Sequence, residues 1–257
     1  MENDAVGVVA SDASLLLGPG VTEAFPLRLV PTAGHELANN QDEQTLANPL
    51  GLLARVVKRA LDLVVAVPLL LLALPVLLVA AIAIKLDSPG PVIFAHDRVG
   101  MGRHRFRCYK LRTMGGSDDD EAHRSYVAAM IRCQATPENG LFKRASNPRI
   151  TRVGRVLRRL SIDELPQLWN VVIGNMSVVG PRPPVLAEAE VYTEAEWQRL
   201  RMKPGITGLA QLRGRSALRF DQIVAADVEY AERWTPLLDL QILARTPFVV
   251  VSGRGAA

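Results

Sequence analysis

The side chains best suited to chemistry in this sequence are two adjacent carboxylates, Asp163 and Glu164. They sit in Arg158-Arg159-Leu160-Ser161-Ile162-Asp163-Glu164-Leu165-Pro166, and a second basic loop, Gly180-Pro181-Arg182-Pro183, follows about one helix later. A helix N-terminus attracts anions and favours the ionised form of Asp163, which suits a carboxylate nucleophile. Glu164 can bind a divalent cation that neutralises phosphate charge. Arg158 and Arg182 can clamp phosphate oxygens. The same residues also read as a purely structural helix start. Ser161 and Glu164 fit a capping box, Leu160 and Leu165 fit the hydrophobic pair that flanks one, and the helix dipole favours Asp163 in the first turn. Pro166 predicts an irregular first turn. Locally, both readings stand.

The elements that must position this pair begin with charge. Residues 1–50 hold seven acidic residues and one basic residue, Arg28, a net −6; with +4 for the whole chain, residues 51–257 carry +10. A basic body suits an anionic partner such as lipid headgroups, a nucleotide, a lipid phosphate or nucleic acid. The first 50 residues lack sustained periodicity and carry the breakers Gly18-Pro19-Gly20 and Asn39-Asn40, which predicts a disordered acidic tail. It has no basic start followed by an apolar run, so it does not read as a signal peptide.

Residues 63–84 then run 22 residues without a charge. As a straight helix that is roughly 33 Å, enough to cross a bilayer. Both flanks are basic, with Arg55, Lys58 and Arg59 before and Lys85, Arg98, Arg103, Arg105 and Arg107 after. A spanning helix has asymmetric flanks. Pro68 and Pro75 also remove backbone hydrogen bonds. A break at Pro75 would make two arms that dip into the membrane and return to the same face, so a span and a re-entrant hairpin remain the two topologies.

Asp87-Ser88-Pro89-Gly90-Pro91 ends that element. Val92–Ala95 and Phe106–Leu111, joined through Gly100 and Gly102, predict a small β-hairpin carrying Arg98, Lys110 and Arg112. The acids Asp118–Glu121 read as a solvated loop, and Ile150–Leu160 as a basic helix. Residues 221–234 predict an amphipathic helix, and 237–251, interrupted by Pro247, an interfacial one. Trp197 and Trp234 suit either the core or an interface. Cys108 and Cys133 have no metal-ligand spacing, and the four histidines do not cluster.

Taken in order, six segments resemble the bacterial sugar transferases, the monotopic phosphoglycosyl transferases. They are Lys58-Arg59-Ala60-Leu61-Asp62; Ser88-Pro89-Gly90-Pro91-Val92-Ile93-Phe94; Tyr109-Lys110-Leu111-Arg112-Thr113-Met114; Leu160–Leu168; Asn170-Val171-Val172 with Gly174–Pro183; and Lys203–Gln211. The resemblance covers about residues 52–251. It implies a mainly α, α+β membrane-bound domain in which 1–50 is the tail, 51–86 the re-entrant helix and 87–257 the catalytic domain on the cytoplasmic face of the inner membrane. It implies transfer of a sugar 1-phosphate from a nucleotide diphosphate sugar, a UDP-sugar, to undecaprenyl phosphate, starting exopolysaccharide or a related glycan.

The resemblance places the nucleophile at Asp163 and the Mg²⁺-binding carboxylate at Glu164. Lys110, Arg158 and Arg182 would hold phosphate groups, and Gly205, Gly208 and Gln211 a backbone-lined loop beside them. Asp227 is a further candidate for the metal site. The expected partners are the two substrates and inner-membrane lipids, with no nucleic acid; a homodimer is compatible with the sequence. Family members break the apolar helix at Ser-Pro, whereas here Leu74 precedes Pro75. Two rivals remain: a single-span protein whose basic body only binds nucleic acid or acidic lipid, and an idle scaffold of the same fold.

Overall fold

The computed structural model describes residues 48–115, 149–214 and 218–251. The acidic tail before residue 48, the acidic loop 118–121 and Cys133 lie outside the described residues. The described fold is mainly helical, with two small sheets.

Helix α1, Leu52–Asp87, contains the whole apolar segment. It stays helical through Pro68 and Pro75, so the interruption expected at Pro75 does not appear as an end of the helix. By length and composition α1 is apolar enough to cross a membrane. Most of its leucines and valines face outward, including Leu71, Leu72, Leu78 and Val79, which leaves an apolar surface that water would not tolerate. A stripe of small residues, Ala66, Ala73 and Ala80, is buried instead.

Both ends of α1 grip the rest of the molecule. Ala66 packs in a core with Phe106, Cys108, Leu168, Val171, Met176 and Val178. Past the prolines, Ala80 and Ile84 pack with Leu111 and Leu157. Asp87 Oδ2 accepts from the Val153 N–H at 3.0 Å.

The hairpin forms as the alternation predicts, with a longer first strand. β1 (Ile93–Val99) pairs antiparallel with β2 (Arg105–Leu111), Phe94 opposite Lys110 and Arg98 opposite Phe106. That register puts Arg98, Cys108 and Lys110 on one face. The basic helix α2 (Arg152–Arg159) is capped by Thr151, whose side chain accepts from the Gly154 N–H. A Cβ on Gly154 would overlap the Thr113 carbonyl, so only glycine lets α2 sit this close to the end of the hairpin.

Helix α3 (Gln167–Val172) follows the Asp163 turn, and β3 (Ser177–Val179) follows α3. After the short helices α4 (Leu186–Ala189) and α5 (Glu194–Trp197), β4 (Gly205–Thr207) returns to pair parallel with β3. Helices α6 (Leu209–Arg213), α7 (Phe220–Glu232) and α8 (Pro236–Val251) complete the fold. Trp197 is buried; Trp234 is partly buried against Tyr230 and Ile242, and both are core residues. Leu237, Leu240 and Phe248 of α8 are exposed, as an interfacial helix requires.

Candidate active site

Asp163 and Glu164 occupy a single 3-10 turn, Ile162–Glu164, between α2 and α3. The expected capping box does not form. Ser161 lies in the left-handed region (φ 55°, ψ 22°) and its side chain caps nothing. It directly follows α2, and its N–H donates to the Arg158 carbonyl, so it serves as that helix's terminator rather than the next one's cap. Leu160 is exposed. Left-handed backbone at a residue other than glycine costs about 1–2 kcal/mol. Here it folds the chain back within a few residues, so that the carboxylate turn packs against β2 and α2 together. The proper helix starts only after Pro166, which accounts for the irregular first turn.

Asp163 is 8% exposed. Glu164 Oε1 receives the Lys110 ammonium at 2.7 Å, and both side chains remain partly open to solvent. Arg158 reaches the turn's other side, where its Nε donates to Thr113 Oγ1 at 3.0 Å and its Nη2 approaches Met114 Sδ at 3.3 Å. The guanidinium is thereby fixed to the hairpin segment that also bears Lys110. Cys108, on the same strand face as Lys110, is buried. Burial pushes its thiol up, while the charges of Arg98, Lys110, Glu164 and Arg182 all act on it. The shared strand face of Arg98 and Lys110, the Arg98 bond to the Pro183 carbonyl and the Lys110–Glu164 contact join the Arg182 loop and the carboxylate turn to the same hairpin.

Arg182 stands exposed on the proline-rich loop after β3. The glycine segment Gly205–Gly208 packs against the start of this loop. The Gly205 N–H donates to the Pro181 carbonyl at 2.8 Å, and the Gly180 N–H donates to the Thr207 carbonyl at 2.8 Å. Side chains at Gly205 or Gly208 would collide with the Gly180 backbone, so these glycines pack under the Arg182 loop. Gln211 follows in α6, with Oε1 buried and without a hydrogen-bond partner.

Asp227 is engaged by a buried guanidinium. It is 1% exposed, and its Oδ2 is taken by Arg199 Nε at 2.9 Å and Nη2 at 2.6 Å. A carboxylate spent on a buried guanidinium is a poor metal ligand. Arg98 and Arg199 lacked any signal in the sequence beyond being basic.

No group of three or more His, Cys, Asp or Glu side chains suited to a metal occurs among the described residues. Mg²⁺ does not need one, because it commonly takes one or two carboxylates together with substrate phosphates and water. The partly open Glu164 fits that mode.

The apolar helix is held to this site by a separate polar network. Arg59 Nη1 and Nη2 donate to the carbonyls of Val171 and Val172 at 2.6 and 2.8 Å, closing the end of α3. Asp62 Oδ1 accepts from Ser177 Oγ and from the Val178 N–H. Lys58 Nζ bonds Asp239 Oδ2 at 2.8 Å and the Val179 carbonyl at 3.0 Å. Tyr230 and Trp234 donate to the two oxygens of Asp239.

Comparison with known proteins accords with this arrangement. The model of the bacterial sugar transferase family matches residues 53–253. The exopolysaccharide production protein ExoY of Rhizobium meliloti (strain 1021) is 39% identical over 218 residues, 84% of this chain and 93% of that protein. A UDP-glucose:undecaprenyl-phosphate glucose-1-phosphate transferase of Caulobacter vibrioides is 43% identical over 197 residues, 74% of this chain and 67% of that protein. The Escherichia coli (strain K12) protein of the same name is 40% identical over 208 residues, 78% of this chain and 41% of that protein. A match over nearly all of the described residues, with the carboxylate turn, the hairpin lysine and the Arg182 loop inside it, makes this chain a member of the bacterial sugar transferase family.

Proposed function

We propose that this protein is an enzyme that transfers a sugar 1-phosphate from a UDP-sugar to undecaprenyl phosphate, at the cytoplasmic face of the inner membrane, as the first step of a surface glycan. The observation that carries the reading is the Lys110–Glu164 pair beside a nearly buried Asp163, with Arg158 fixed alongside, next to an outward-facing apolar helix. The relatives that are UDP-glucose:undecaprenyl-phosphate glucose-1-phosphate transferases supply the reaction class.

In the proposed chemistry an Asp163 oxygen attacks the sugar-bearing phosphorus. A P–O bond forms to Asp163, and the P–O bond to the nucleoside monophosphate breaks, its electron pair leaving with that group. A phosphate oxygen of the polyprenyl acceptor then attacks the same phosphorus, and the Asp163 carboxylate is released. Lys110, Arg158 and Arg182 hold the phosphate oxygens and offset their growing charge. Glu164 would hold Mg²⁺, which when bound neutralises diphosphate charge. Until then Lys110 holds Glu164 in place through their 2.7 Å contact.

The re-entrant topology belongs to the same proposal. Its support is that both ends of α1, on either side of Pro75, pack on the same body: Lys58, Asp62 and Ala66 before, Ala80, Ile84 and Asp87 after. A helix crossing the bilayer would separate those ends.

The test is to incubate the protein with UDP-sugars labelled in the β-phosphate, without lipid acceptor. Label retained on the wild-type chain, absent from Asp163→Asn and released by undecaprenyl phosphate, is the expected result. Equal labelling of both proteins removes Asp163 as the nucleophile. Cysteines placed in the first 47 residues and near Arg254 should label from one side of the membrane only; labelling from opposite sides ends the re-entrant reading.

A further inference from the structure

The loop that presents Arg182 has an unusual supply of hydrogen-bonding groups. Pro181-Arg182-Pro183-Pro184 contains a single backbone N–H, that of Arg182. Such a segment has one donor to offer a ladder or a turn. Its remaining backbone hydrogen bonds must come through its carbonyls, from donors brought from elsewhere.

The structure supplies a donor to each. The Pro181 carbonyl accepts from the Gly205 N–H at 2.8 Å and the Pro184 carbonyl from the Val99 N–H at 3.1 Å. The Pro183 carbonyl accepts from Arg98 Nη1 at 2.9 Å. The Arg182 carbonyl accepts from Arg199 Nη2 at 3.3 Å. Backbone provides two of these donors, and two buried or partly buried guanidiniums provide the others.

Arg199 is the more telling of the two. It is 3% exposed, its Nε and Nη2 bind Asp227, and its Nη1 donates to Tyr192 Oη at 2.9 Å. Buried ion pairs contribute little net stability compared with apolar residues of similar volume. What an apolar pair could not do is reach a carbonyl. With Asp227 and Tyr192 fixing its plane, the Arg199 fork presents Nη2 to the Asp227 carboxylate and to the carbonyl of Arg182, whose side chain is exposed.

We infer that Arg199, oriented by Asp227, is a positioning residue that sets the Arg182 side chain toward the substrate phosphates through the Arg182 carbonyl. Arg98 does the same one residue later through Pro183. The inference rests on the proposed role of Arg182. Arg199 touches no substrate, so its contribution exists only while Arg182 is there to be aimed.

A double-mutant cycle on the full chain in detergent tests this, with kcat and KM for nucleoside monophosphate release measured separately. Arg182→Ala should lower kcat/KM about 100-fold, the loss typical of one charge-stabilising donor. Arg199→Lys keeps the pair with Asp227 but loses the fork, and should cost about tenfold with Arg182 present, a misplacement effect. In the Arg182→Ala background it should cost less than about twofold, because coupled residues are non-additive. Equal losses in both backgrounds would mean that Arg199 supports the fold only, and would overturn the inference while leaving the transferase reading intact. If Arg182→Ala is as active as wild type, the site assignment falls and this inference with it. Should Arg199→Lys not fold, Arg98→Lys runs the same cycle through the Pro183 carbonyl and decides between the same outcomes.

Discussion

Two lysine–carboxylate pairs in this molecule have almost the same length and opposite surroundings. Lys58–Asp239 is 2.8 Å, with side chains 7% and 4% exposed; Lys110–Glu164 is 2.7 Å, with 22% and 29% exposed. Around the first, both oxygens of Asp239 have further donors in Tyr230 and Trp234, and Lys58 has the Val179 carbonyl. Its electrostatic needs are met internally, so it joins α1, β3 and α8 and has little left to offer a ligand. The second pair is partly exposed to solvent. Under the proposed function a phosphate would take the lysine and a cation the carboxylate. The same two functional groups then act as a fastener where water is excluded, and as a receptor where it is admitted.

That contrast should survive four perturbations, taken from the largest effect to the smallest. Lys58→Met leaves Asp239 buried without its cation and should destabilise the fold by about 3–5 kcal/mol, read as a fall in melting temperature in detergent. Adding Asp239→Leu should recover much of the loss; no recovery would mean that the charge pair itself stabilises. Lys110→Met should do the reverse, cutting kcat/KM about 100-fold while moving stability by less than about 1 kcal/mol, as expected for a pair near solvent. A large drop in melting temperature would make Lys110 a second fastener.

Gly154→Ala pushes α2 away from Thr113 and should cost about 1–3 kcal/mol through overpacking, with activity falling because Arg158 leaves its seat. Unchanged activity would show that Arg158 does not depend on this close approach. Last, Cys108 lies on the same strand face as Lys110 but is 1% exposed, and burial pushes its thiol pKa up. Its alkylation at pH 8, followed by peptide mass mapping, should run at least about tenfold slower than that of an exposed cysteine. Fast alkylation would show that the open pair is open on both sides.

The sequence was readable where function and local pattern coincide. The apolar segment, the alternating hairpin strands, the basic α2 and the apolar helix α8 all follow from local pattern. The ordered motifs bring Lys110, Asp163, Glu164, Arg158 and Arg182 onto one shortlist. What was illegible depends on distant partners. Ser161 looks like a helix cap because Glu164 stands three residues on, yet the end of α2 claims it first. The parallel pairing of β3 with β4 joins two three-residue strands far apart in sequence, too short for any alternation to register. Asp227 looked available to a metal because its counter-charge, Arg199, lies in a stretch that reads as ordinary basic surface. The close packing of Gly205 and Gly208 on the Gly180 backbone was equally invisible, since it pairs residues distant in sequence.

Helix α1 is clasped at both ends by the catalytic body, through Lys58, Arg59 and Asp62 at one and Ile84 and Asp87 at the other. Such a helix cannot slide along its own axis without tearing a core or an ion pair. Under the re-entrant topology the protein then floats at a fixed draught, and the Asp163 turn rides at constant height over the lipid. The acceptor, confined to that same plane by its polyprenyl tail, would find the site by a search in two dimensions rather than three.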